Sequence, residues 1–375
     1  MDCLALSRWK RHYRRTAHCP IMDEMILALA SGDLGGMCAC DLRNGGTVMT
    51  FKNCSSDSAG SICTIGGSSS FSGMGVSSDY VAVAISKKPV IHIYAWGKPQ
   101  PLMQCHVQEI ITALASDLPG QVLVGGSRSG RMFCWDICSG ALLAMWQGHF
   151  KSITRIQVTK CGYFVVTVSD DAYVKVWDLP LILDVHCENS SGKPIPPFRS
   201  LSPHTLPISD MKVLGSHATI RVVLCSFDQS VVVYDVYSDT ICLKVTFSMS
   251  LMAITSTPNE DMLFVGASSG KIFIIDLTER AITLSASHAV ISKVGHAFSR
   301  NNCLDGQMSL DGHSSSITAL SSSQDNKTLV SVSSDGSMRV WDVTTRQCLR
   351  ESFPFKKNSL SNVSGLSTRC DHNRF

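Results

Sequence analysis

FVVTVSDDAYVKVWDL, residues 164–179, reads as two β-strands and the tight turn between them. Valine, threonine and aromatic residues favour a pleated surface, whereas serine and aspartate favour the turn. The same pattern recurs six more times: LALASGDLGGMCACDL (27–42), VAVAISKKPVIHIYAW (81–96), VLVGGSRSGRMFCWDI (122–137), VVLCSFDQSVVVYDV (222–236), MLFVGASSGKIFIIDL (262–277) and TLVSVSSDGSMRVWDV (328–343). Each copy ends on an aromatic or apolar residue and most then carry Asp. No long helical periodicity interrupts the series, which excludes folds built on parallel sheets with crossover helices.

Spacing turns the hairpins into an architecture. Asp136 and Asp178 lie 42 residues apart, and Asp235 and Asp276 lie 41 apart. A period of about 40–45 residues with Trp-Asp endings is that of WD-repeat propeller blades, and Trp135-Asp136, Trp177-Asp178 and Trp341-Asp342 carry it. The longer intervals predict insertions at about 54–79, 180–203 and 285–309. The fold class expected is all-β: a seven-bladed propeller over residues 22–367, whose closure removes exposed sheet edges. The first copy has no strand before it. The C-terminal stretches QCLRESF (347–353) and SLSNVSGLS (359–367) are both expected to pack into that first blade. Residues 1–21 form a basic extension outside the ring, and 368–375 a short tail.

A histidine precedes the aromatic residue at nearly fixed distance: 29 residues from His106 to Trp135, 28 from His149 to Trp177, 30 from His204 to Tyr234 and 28 from His313 to Trp341. In WD repeats such a histidine, a hydroxyl, the turn aspartate and the tryptophan form one buried hydrogen-bonded chain, which helps only if every member is satisfied. Three copies supply all the parts: His149, Ser169, Asp171 and Trp177; His204, Ser226, Asp228 and Tyr234; His313, Ser333, Asp335 and Trp341. The blade ending at Asp136 has Ser129 in place of the aspartate, and the blade ending at Asp276 lacks the histidine. Both are expected to hold by packing alone.

Composition narrows the function. Of 33 basic and 30 acidic residues, Arg8, Lys10, Arg11, Arg14 and Arg15 precede Met22 against Asp2 alone. The body is therefore neutral, which argues against a broad nucleic-acid-binding face. The 16 cysteines are scattered with no C-x-x-C, so no metal site is read and a reducing compartment is expected. No apolar run is long enough to span a membrane. SSGKI and SSGKP lack the first glycine of a phosphate loop, and the His–Asp spacing belongs to the buried chain rather than to catalysis; neither enzyme activity nor a cofactor is expected. RWKRHYRR (8–15) reads as a nuclear address, a plain extension ahead of Met22 or an organelle presequence. Arg128, Phe150, Lys151 and Phe227 adjoin the histidine loops and aspartate turns of three successive blades. They are either a protein-docking patch, since aromatics and Arg make interface anchors, or aromatics tucked between blades.

Four stretches go beyond the generic repeat: DLRNGGTVMTFKNCSS (41–56), IHIYAWGKPQ (91–100), GHFKSITRI (148–156) and SPHTLPISDM with SFDQSVVVYDV (202–211, 226–236). Through them the chain resembles the WD-repeat subunit of the Rix-type nuclear complex that matures the large ribosomal subunit, a family that includes the plant root initiation defective proteins. The resemblance implies a noncatalytic subunit acting with partner subunits and a dynein-like AAA ATPase. The task is removal of the internal spacer from pre-ribosomal RNA, in nucleolus or nucleoplasm with the cytoplasm as a second location. A role in assembling pre-replicative complexes is implied with it. Many members of that family continue into a helical tail, whereas this sequence stops at Phe375. The alternative is a generic WD-repeat adaptor, such as a ubiquitin-ligase substrate receptor or a developmental scaffold.

Overall fold

The computed structural model describes residues 25–30, 36–42, 45–54, 56, 58, 60–66, 78–117, 120–188, 195–216, 218–277, 309–355 and 359–366. Among them are seven antiparallel sheets of four strands each. In blades two to seven the strands run in chain order. Their innermost strands are Ile62–Gly66, Ile111–Ser116, Ile153–Val158, Ile208–Ser216, Leu251–Ser256 and Ile317–Ser322. In the first blade the innermost strand is the last among the described residues, Leu360–Leu366, paired with Met25–Ala30 so that Leu27 faces Ser364 and Met25 faces Leu366. The chain ends therefore close the ring, as the sequence predicts. The second expected contributor does not join them. Cys348–Ser352 is the outermost strand of its own seventh blade, where Val340 faces Arg350. Each blade needs a fourth strand after its Trp-Asp hairpin, and 347–353 is simply that strand.

Each blade buries both faces of its middle strands against its neighbours, so Phe164–Ser169 is buried at every position. That is why these strands read as unbroken apolar runs. The core is divided accordingly into seven parts, one per interface. Ile26, Ala28 and Cys38 pack against Val332 and Val340 across the closing interface. The equivalent clusters join blades one and two, two and three, and so on round the ring.

Hydroxyls stitch these interfaces near the axis. Blades three to seven carry a bulge at the second residue of the innermost strand, and a bulge re-aims the side chain it displaces. The hydroxyl of Thr112 donates to the carbonyl of Ile153 in the next blade at 2.6 Å. Thr154 donates to Ile208 at 3.4 Å and Ser209 to Leu251 at 2.8 Å. The sequence carries a signal for this, an Ile-Thr or Ile-Ser pair opening the strand in four blades.

Two expected insertions contain structure. Ile62–Gly66, within 54–79, is the innermost strand of the second blade. The 180–203 segment begins with a helix, Leu179–Glu188, and ends with Arg199–Leu201, the outer strand of the fourth blade. Asp178 caps that helix by accepting the Leu181 N–H at 3.1 Å. In other blades the same aspartate accepts turn N–H groups instead, as Asp235 does from Tyr237 and Ser238. Ile182 is fully buried against the third and fourth blades, which anchors the helix. Residues 1–21, 368–375 and 285–308 lie outside the described residues.

Candidate functional site

The fourth blade holds a complete polar chain. The Trp177 indole N–H donates to the Thr167 hydroxyl at 2.9 Å, and that hydroxyl lies 2.8 Å from His149 Nε2. His149 Nδ1 lies 3.1 Å from the Asp171 carboxylate. With His149 neutral, every donor meets one acceptor: indole to hydroxyl, hydroxyl to Nε2, Nδ1–H to carboxylate. Burial pushes the His149 pKa below its ordinary value despite Asp171. Burial alone would raise Asp171, but His149 and the N–H groups of Tyr173 and Phe150 hold it down at about 2.

The hydroxyl of this chain is Thr167, not Ser169. Ser169 instead donates to the Lys151 carbonyl and accepts the Asp171 N–H, fixing the loop and turn outside the chain. The same correction applies in the seventh blade: Ser331, not Ser333, lies between Trp341 Nε1 (2.8 Å) and His313 Nε2 (2.6 Å). There Ser337 also intervenes. It lies 2.8 Å from His313 Nδ1 and donates to Asp335, which is itself 3.6 Å from the imidazole. In the fifth blade Leu224 occupies the hydroxyl position. His204 Nδ1 reaches Asp228 at 3.0 Å, but its Nε2 is buried with no partner among the described residues. The Tyr234 hydroxyl leaves the chain and donates to Asp239, while Ser226 ties to the Leu206 and Pro207 carbonyls.

One further expectation needs correcting. His106, spaced like the other histidines but in the blade expected to hold by packing, is exposed at the end of the second blade's outer strand. The third blade does not rely on packing alone, because Ser127 and Ser129 bond at 2.9 Å, Ser129 donates to Glu109, and Glu109 pairs with Arg131 at 3.0 Å. Glutamate from the preceding loop thus replaces the turn aspartate. Gly125 takes the hydroxyl position, where a Cβ would meet the Trp135 ring at 2.7 Å. The sixth blade is apolar as expected, with Phe247 against Phe273 at 4.9 Å between centroids.

These chains fix one rim of the ring, made of the loops that carry histidine and the turns that carry aspartate. Gly130, at φ +87°, lets the third blade's turn approach the His149 and Lys151 carbonyls; any Cβ there would clash at 2.2 Å. On this rim Arg128 and Lys151 are exposed. Phe150 is 84% exposed and Phe227 37%, so Phe150 is not tucked between blades. Sequence reasoning missed three neighbours. Tyr173 and Leu206 expose large apolar area beside Asp171 and His204. Lys175 lies 5.8 Å from the Phe150 ring centroid while donating to the Gly148 carbonyl. A strand residue two positions before Trp177 gives no hint of reaching the rim.

A family profile described as the WD domain, G-beta repeat, matches residues 140–178 and 306–342. Those are the segments that build the third-to-fourth and sixth-to-seventh blade junctions, each including a Trp–hydroxyl–His chain. The fourth and seventh blades thus carry recognised WD repeats. The chain is 29% identical over 332 residues to the pre-rRNA-processing protein IPI3 of Yarrowia lipolytica, covering 88% of its own length and 72% of that protein's. It is also 29% identical over 274 residues to WD repeat-containing protein 18 of Danio rerio, and 24% identical over 313 residues to IPI3 of Candida albicans. It spans 59% and 61% of those two relatives, having matched 72% and 73% of itself. Among solved structures, the computationally designed Ika8 protein matches 92% of the chain and 94% of its own, with a TM-score of 0.58 and 21% identity. That likeness concerns the fold alone.

Proposed function

We propose that this protein is a noncatalytic WD-repeat scaffold subunit of a nuclear complex that processes pre-ribosomal RNA during large-subunit maturation. The observation that carries the reading is 29% identity over 88% of the chain to a protein named for pre-rRNA processing. The site chemistry agrees with it. His149 and His313 are buried and engaged at both ring nitrogens, so these His–Asp pairs turn no face to a substrate. What the rim does offer is anchor chemistry. Arg128, Phe150, Lys151 and Phe227 make a docking patch for a partner subunit, with Tyr173 and Leu206 extending its apolar area. A dynein-like AAA ATPase is the motor partner in this reading, and assembly of pre-replicative complexes a second task of the same subunit.

Depletion tests it directly: precursors retaining the internal spacer accumulate on a northern blot. Normal processing after confirmed depletion, with cullin adaptors co-purifying in place of pre-60S proteins, overturns the reading in favour of a ubiquitin-ligase receptor. For the patch, Arg128→Glu with Phe227→Ala lowers partner recovery while the melting temperature stays close to wild type. Recovery that stays intact, or falls only in step with stability, places docking elsewhere.

A further inference from the structure

The opposite end of the ring carries a different chemistry. The central channel opens there into a cavity of about 470 Å³, lined by innermost strands and by the turns that follow them in the fourth, sixth and seventh blades. Two ion pairs are built into its wall. Arg155 Nε donates to Asp210 at 2.6 Å, and Asp210 also accepts the Met211 and Ile254 N–H groups at 2.8 and 3.0 Å. Lys160 at the mouth pairs with Glu260 at 2.8 Å, and Glu260 also accepts the Gly215 N–H at 2.7 Å. Both carboxylates are therefore committed, each to one cation and to at least one backbone donor from the neighbouring blade.

Lys212 is a third cation of this wall. Among the described residues, no acceptor lies within hydrogen-bonding or ion-pairing distance of its ammonium. Burial pushes its pKa down; Asp210 raises it in part, Lys160 lowers it and Glu260 raises it. A half-buried cation without a bonded anion is costly, and this one adjoins open volume rather than packed core. The Arg155 and Lys160 charges are matched inside the wall, so one positive charge is left over.

That surplus selects the ligand. Two fixed carboxylates in the same wall repel a polyanion, whereas a single carboxylate neutralises Lys212 without crowding them. The volume is that of a ligand site larger than one carboxylate group. Each innermost strand is the edge of its sheet, but beside Lys212 the N–H groups of Met211, Val213 and Gly215 are already taken by Asp210, Gln157 and Glu260, so the Lys212 ammonium is what holds an incoming segment. We propose that this end of the channel is a second docking site, which takes an acidic side chain of an extended protein segment onto Lys212. The site shares no residue with the patch around Phe150 and does not depend on which complex the protein serves.

Carbodiimide coupling tests this on the unmodified full chain. The probe is an extended Ser/Gly peptide with one central Glu, acetylated and amidated at its ends so that the glutamate is its sole carboxylate. Mass spectrometry should find Lys212 joined to the peptide about tenfold more than the exposed Lys98 or Lys327. Lys212→Met, with melting temperature unchanged, should lose that adduct while the surface lysines keep theirs. A Gln counterpart of the peptide should give none. Coupling at Lys212 no greater than at the surface lysines overturns the proposal. So does protection of Lys212 by acetate or inorganic phosphate as effective as by an uncoupled peptide, which would make the cavity a small-anion pocket.

Discussion

The fourth and sixth blades solve one packing problem with opposite chemistries. In the fourth, Trp177, Thr167, His149 and Asp171 form a chain in which each polar atom is bonded. In the sixth, Ile275, Val265 and Phe247 occupy the equivalent places and are buried. Both blades have the same four-stranded order and the same bulged innermost strand. The polar chain is thus not needed to make a blade. It does what apolar packing cannot: Asp171 also accepts the Phe150 and Tyr173 N–H groups, locking loop to turn on the exposed rim. The fifth blade lies between the two and shows the cost of a partial set, a buried imidazole nitrogen facing Leu224's place in the chain. A buried polar set must be complete or absent.

The largest expected effect ignores this difference. Deleting residues from Asn358 onward removes Leu360–Leu366 and strips Met25–Ala30 of its inner partner. The expected outcome is insoluble protein or loss of cooperative melting; a truncated chain that melts like the full one breaks the closure. Next, Asp171→Ala leaves His149 and two N–H groups short of an acceptor and should cost about 3 kcal/mol by urea unfolding. Ser269→Ala, at the matching turn position of the apolar blade, should cost less than about 1 kcal/mol. Equal shifts would erase the comparison. Asp335→Ala should fall between them, at about 1–2 kcal/mol, because Ser337 still accepts from His313. The smallest effect is a pH dependence. The buried histidines have native pKa values below the ordinary value of about 6.5. The unfolded chain therefore binds protons first, and their contribution is full above about pH 6.5 and declines as pH falls. Asp171 and Asp335, held at about 2, add a contribution present above about pH 4 and lost as pH falls through 2. Stability that stays flat from pH 7 to 5 would mean the histidines take protons equally well in the native chain.

The hairpins were legible because both of their signals are local: period-two apolar runs and turn residues. The closing strand was legible from a deficit, a first copy with nothing before it. The hydroxyl assignment failed for a geometric reason. Thr167 and Ser169, like Ser331 and Ser333, are two residues apart and so lie on one face of the strand. Sequence alone cannot say which of the two meets the imidazole. The short outer strands Arg199–Leu201 and Ser309–Leu310 carry too few residues for any period to register. The ion pairs of the channel were invisible because Arg155, Asp210 and Glu260 belong to three different repeats. The helix after Asp178 escaped because a Trp-Asp ending predicts a turn and Pro180 agrees with one.

Closure by the last strand has a consequence for synthesis. Met25–Ala30 leaves the ribosome long before its partner Leu360–Leu366. At about 5–20 residues per second, the 336 residues from Ala30 to Leu366 take roughly 20–70 seconds to translate. Throughout that interval the first hairpin is an apolar ribbon with an open edge, exposed to other nascent chains. The blades that follow can fold in turn, but none of them supplies the missing strand. Protection is therefore needed most at the N-terminal hairpin, and a pause anywhere between the two strands would prolong its exposure by the length of the pause.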